Sequence, residues 1–119
     1  MDKVVVQQDR EYRMAMMVQN EGDDELHEVA HIHELSAYTM MLASLALCTG
    51  VVLHSYAHHH GVDLDVVETV VTYHREETNA GSGKPYDEWI EESVTFDGDL
   101  TDQQIERLEH VAHACSIRK

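Results

Sequence analysis

Between Ser36 and Gly61 the chain repeats apolar residues at spacings of three and four, with Tyr38, Met41, Leu42, Leu45, Cys48, Thr49, Val52 and Tyr56 in the pattern. Ser36 is a good N-cap and Gly61 a good C-cap, so a single long helix is predicted here. From Met40 to Leu53 that helix is apolar almost all round. A helix resting on water along one side does not fit such a pattern, so a sheet and a second subunit are expected to cover it on several sides. The apolar run is interrupted by Ser44, Cys48, Thr49 and Gly50 and is too short for a bilayer span, which makes it a core helix.

Strand-forming residues surround this helix. Val4 to Gln7 is rich in β-branched residues, and Tyr12 to Gln19 alternates weakly, which predicts two strands joined around Asp9 to Glu11. After a turn at Asn20 to Glu25, His27 to Ile32 is expected to add a third strand. Val66 to Tyr73 and Glu88 to Phe96 should form an antiparallel pair across the Gly-, Ser- and Pro-containing turn Asn79 to Pro85. Thr101 then caps a last helix that puts Ile105, Leu108, Val111, Ala112 and Cys115 on one face, Cys115 in its last turn. The order of strands, long helix, strands, helix gives an α+β fold, and 119 residues suit one domain over residues 1–119.

The charge narrows the partners. Asp and Glu number 23 against 8 Lys and Arg, a formal charge of -15, so no nucleic acid and no membrane is expected to bind. With 43% hydrophobic residues the chain is too apolar for an acidic disordered segment, and adaptation to high salt is the favoured reading of its surface. Met1 to Gln7 lacks the basic and apolar regions of a secretory signal, so a cytoplasmic location is expected. Two cysteines in such a compartment do not make a disulfide scaffold.

Cys48 and Cys115 are the only cysteines. Taken alone, a cysteine in a buried helix is most often an apolar filler, and Cys115 lies near a helix C-terminus whose dipole opposes a thiolate. The surrounding words change the weighting. Leu42-Ala43-Ser44-Leu45-Ala46-Leu47-Cys48-Thr49 lies on the apolar helix, and Phe96-Asp97-Gly98-Asp99-Leu100-Thr101 precedes a helix running into Cys115-Ser116-Ile117-Arg118. From about Leu35 to Ile117 this resembles the OsmC/Ohr family.

The resemblance implies an intertwined homodimer in which strands of both subunits enclose two long central helices. It also implies thiol-dependent reduction of a small hydrophobic hydroperoxide, with Cys48 attacking the peroxide, Cys115 resolving and a dithiol as reductant. A retained fold that acts instead as a redox sensor or small-molecule binder is the alternative. In the family an N-terminal arginine supports the thiolate, for which Arg13 is the first candidate and Arg10 the second. A glutamate supports that arginine from a Pro-x-Glu segment two to three turns before the cysteine; this chain reads Ala37-Tyr38-Thr39 there, and Glu34 is the nearest acid upstream. Ser116 and Arg118 also stand where proline and histidine are usual.

Ten histidines raise metal binding as a further possibility. His54 and His58 are i, i+4, His110 and His113 are i, i+3, and His31 and His33 fall on one side of the third expected strand. His58-His59-His60 also complements the helix C-terminal dipole, which suffices to explain it. No phosphate loop, nucleophile elbow or HExxH word occurs, and no metal or other cofactor is expected. Met14, Met16, Met40 and Met41 are read as core fillers before pocket lining.

Overall fold

The computed structural model describes residues 2–77 and 86–113. One antiparallel sheet carries the chain in the order β3-β2-β1-β4-β5. Its strands are β1 (Lys3–Asp9), β2 (Met14–Gln19), β3 (His27–Glu28), β4 (Asp63–Glu77) and β5 (Tyr86–Asp99). Helix α1 (Ala37–His60) lies across β1 and β4, and α2 (Asp102–His113) packs against α1. The expected α+β architecture is therefore observed.

The alternation of the strands sets which side faces α1. Val4, Val6, Val18 and Val71 share the helix side, with Val4 opposite both Val18 and Val71, and close over Leu42, Ala43 and Ala46. A second cluster joins Leu53 and Ala57 of α1 to Leu64, Val67, Leu108 and Ala112. Two apolar clusters end to end thus hold the buried side of α1, at roughly 1.5–3 kcal/mol for each large side chain removed from water.

The ends of α1 are fixed as the sequence predicts. Ser36 Oγ accepts the Thr39 N–H at 3.2 Å and the Ser36 N–H reaches Thr39 Oγ1 at 2.7 Å, closing a capping box. Gly61 ends the helix at φ 65°, where a side chain is disfavoured. Thr101 likewise caps α2, its Oγ1 accepting the Gln104 N–H.

Several expectations need correction. The third strand is only two residues long, and His31 and His33 lie at and within a 3-10 turn, Ile32–Glu34, where their rings stack. Local bonding wins there, because Glu34 accepts the Ala30 N–H and donates its own N–H to the His31 carbonyl. β2 begins at Met14, since Tyr12 adopts φ 62° in the hairpin turn. β4 and β5 run well past their apolar centres, pairing from Asp63↔Asp99 to Glu77↔Tyr86.

The methionines also depart from the core reading. Met16 is half-buried against the first cluster, but Met14, Met40 and Met41 are exposed. Helix α1 is long and apolar enough to cross a membrane by length and composition, with 44% of that window buried. In the fold its positions 39, 42, 43, 46, 49, 50, 53, 54 and 57 face the sheet, while Met40, Met41, Ser44, Val51 and Ser55 form a stripe that no other described residue of the chain buries. Of the cover expected on several sides, the described residues of one chain supply the sheet and α2.

Candidate functional site

Cys48 belongs to that outward stripe. Positions 41, 44, 48, 51 and 55 return to one helix face every three or four residues, opposite the face that meets the sheet. The thiol is half-buried, with exposed Met41 and Val51 on either side of it along the stripe. Apolar Met41 and Val51 and polar Ser44 neighbour it on the stripe, and a polar contact lies one residue on, on the inward face.

The polar part begins one residue later. Thr49 turns inward and is 1% exposed, and its hydroxyl lies 2.7 Å from Glu92 Oε1 and 3.1 Å from the Leu45 carbonyl. Glu92 reaches the helix because β5 pairs it with Val71, whose side chain is in the helix-side core. A carboxylate therefore reaches the inward face of α1 at Thr49 from the sheet. The sequence carried the signal: Ile90, Glu92, Val94 and Phe96 alternate, so Glu92 occupies an apolar-face position of a strand and is out of place there for a solvated acid.

Thr39, two residues after Ala37 at the start of α1, is fully buried and committed to structure. It bonds Ser36 within the capping box and donates its hydroxyl to Asn20 Oδ1 at 2.8 Å. Asn20 in turn donates to the Glu34 carbonyl at 2.7 Å, so the α1 N-terminus is tied to the loop after β2. The Glu34 side chain caps the Ala30 N–H instead of approaching Cys48. That bond, opposed by some burial and aided by His31, holds its carboxyl below the usual range.

Both candidate arginines lie at the β1–β2 tip. Arg13 is 75% exposed, with Nε 2.9 Å from Asp9 and Nη2 2.8 Å from Glu11. Arg10 bonds Asp63 at 2.7 Å and approaches Asp65, and the Asp63 bond raises its pKa against opposing desolvation. This tip meets α1 through Tyr12, whose hydroxyl lies 3.3 Å from Ser55 Oγ, seven residues beyond Cys48 and thus about 10 Å along the axis. Within one chain neither arginine is brought to the thiol. Cys115, Ser116 and Arg118 lie outside the described residues, as does the expected turn from Asn79 to Pro85.

The histidines do not converge. His54 Nε2 contacts the Gln8 carbonyl at 2.7 Å and His58 Nε2 that of Arg10 at 2.6 Å, so both are spent on the backbone of β1 and its turn. His74 pairs with Glu91 at 2.9 Å and stacks on Trp89. Among the described residues no group of three or more His, Cys, Asp and Glu is placed to hold a metal. A cleft of about 770 Å³, lined by Tyr38, Tyr73, His74 and Trp89, opens beside the first turn of α1, about 15 Å along the helix from Cys48.

Comparison with known proteins bears on the family and the fold. The family model described as OsmC-like protein matches residues 18–119. A solved OsmC-like hydroperoxide resistance protein from Jannaschia sp. CCS1 superimposes with a TM-score of 0.60 at 15% identity, over 98% of this chain and 83% of that one. The organic hydroperoxide resistance protein OhrB of Bacillus subtilis gives 0.52 at 16% identity, over 98% and 87%. No curated protein matches. At such identities the structural likeness speaks for the fold, and with a family model spanning most of the sequence, the chain belongs to the OsmC-like protein family.

Proposed function

We propose that the chain is a thiol-dependent reductase of organic hydroperoxides that works as a homodimer. The observation that carries this reading is the placement of half-buried Cys48 midway along the outward stripe of α1, between exposed Met41 and Val51. A second copy laid on that stripe removes Met40, Met41 and Val51 from water and encloses the thiol in an apolar site suited to a hydrophobic peroxide.

The chemistry proceeds in three balanced steps. The Cys48 thiolate attacks the outer peroxide oxygen, the O–O bond breaks, and the alkoxide leaves as an alcohol on taking a proton, with sulfur oxidised to a sulfenic acid. The Cys115 thiol displaces water from that sulfur to form a disulfide. An external dithiol then reduces the disulfide by exchange. Arg13, at the exposed hairpin tip, supports the thiolate from the second subunit, leaving its ion pairs with Asp9 and Glu11 to do so.

Consumption of cumene hydroperoxide with dithiothreitol as reductant tests the reading. The native protein is expected to turn it over, and Cys48→Ser to reduce the rate to background. Equal rates for the two proteins would refute it. The alternative, a redox sensor or binding protein on the same fold, is favoured by the commitment of Thr39 to capping, and it predicts an ordinary thiol with a pKa near about 8.5 and slow reaction.

A further inference from the structure

We propose that the cleft beside the first turn of α1 is a binding site for a small aromatic ammonium cation. Its position follows from the strand lengths. The Tyr73 N–H donates to the Asp2 carbonyl at 2.9 Å where β1 gives out, while β4 runs on to Glu77 with β5 alongside. Between that extension and the start of α1 lies a cleft of about 770 Å³, a size that accommodates a small organic molecule.

The walls select the ligand. The chain has one Trp, one Phe and five Tyr, and Tyr38, Tyr73 and Trp89 all line this cleft. The Tyr38 and Tyr73 rings lie 5.2 Å apart between centroids, and His74 stacks on the Trp89 indole at 5.0 Å, so both walls are held in place. Tyr38 and Trp89 remain about half exposed, which leaves ring surface for a guest. A cation within about 6 Å of such a ring face is attracted by its quadrupole. Asp2 adds charge. It lines the cleft at 4% exposure, and acids are seldom so buried unless paired. Its Oδ1 accepts the Glu21 N–H at 3.1 Å, while among the described residues Oδ2 takes no partner. Arg75 also lines the cleft, but it stands opposite Glu88 in the β4–β5 register, and Glu88 accepts the Tyr73 hydroxyl. With Glu21 beside Asp2 the lining is acidic overall, which disfavours an organic anion and suits a cation that carries its own ring.

Trp89 is the only tryptophan, so its emission reports on this cleft alone. Titration of the native protein with benzyltrimethylammonium should give a saturable change with a dissociation constant of about 1 mM or below, weakened by added salt. Benzyl alcohol, which keeps the ring without the charge, and benzenesulfonate, which inverts the charge, should bind about tenfold more weakly or worse. Asp2→Asn, which keeps the shape and the Oδ1 acceptor, and Tyr38→Ala, at an exposed helix position, should each raise the constant roughly three- to tenfold. Asp97→Asn, near the other end of β5, should leave it unchanged, which separates this site from general attraction to an acidic surface. A change that rises linearly without saturating, equal or tighter binding of benzyl alcohol or benzenesulfonate, or equal weakening by Asp2→Asn and Asp97→Asn overturns the proposal. No measurement here uses a thiol or a peroxide, so the outcome is independent of whether Cys48 reduces hydroperoxides.

Discussion

The imidazole of His54, fully buried, stands with Nε2 2.7 Å from the carbonyl oxygen of Gln8 and so bonds helix α1 to strand β1 inside the core. Since a carbonyl only accepts, Nε2 carries the proton. His54→Ala removes this bond, leaves the carbonyl unsatisfied and opens a cavity. A loss of about 2–4 kcal/mol is expected from urea unfolding, and a loss under about 0.5 kcal/mol, the range of ordinary surface changes, would show that the bond is dispensable.

Gly50 lies one turn before His54 and against the side chain of Gln8, so closely that an added Cβ would collide with the amide. Elsewhere in a helix Gly→Ala gains up to about 1 kcal/mol. Here the crowding of a buried Gln8 outweighs that gain, at roughly 1–3 kcal/mol. Gly50→Ala should therefore lower the melting temperature, and should raise it when made in a Gln8→Ala background. Additive effects in that double-mutant cycle would contradict the collision.

Asp9 organises the hairpin that carries Arg13. Burial pulls its carboxyl upward, but the N–H groups of Arg13 and Glu11 and the Arg13 guanidinium outweigh this and hold it below the usual value. A carboxyl with a depressed folded pKa stabilises above its unfolded value, near about 3.9, and the contribution fades as pH falls through the folded value. The melting-temperature gap between the native protein and Asp9→Asn should be constant at neutral pH and close below about pH 3.9. A gap that persists in acid would assign the effect to packing.

Val51 sits on the uncovered stripe beside Cys48 and is 42% exposed. In a monomer Val51→Glu costs little, as expected for an exposed helix position. In the proposed dimer it places a charge in the apolar interface. Light scattering should show the native chain at twice the monomer mass and Val51→Glu at the monomer mass. A native chain that is already monomeric at micromolar concentration would remove the enclosure on which the proposed site depends.

Local chemistry made the two helices legible. Ser36, Gly61 and Thr101 act within four residues of themselves, so α1 began and ended where the sequence placed it and the capping of α2 could be read in advance. The apolar centres of β4 and β5 gave their antiparallel pairing for the same reason, whereas their full length was set by cross-strand bonding among polar residues that show no alternation.

The chain's own order of residues determined the fold class and the long apolar helix, because helical periodicity and capping are properties of neighbours, but not that Cys48 faces outward, since a helix apolar all round does not mark which side meets the sheet. Only the tertiary structure decided that Glu92 brings a carboxylate to Thr49, that Thr39 is spent on the helix cap, and that Arg10 and Arg13 stay with acids at the hairpin tip. Thr49 and Glu92 are 43 residues apart, and their contact follows from strand register and helix docking, which no local signal encodes.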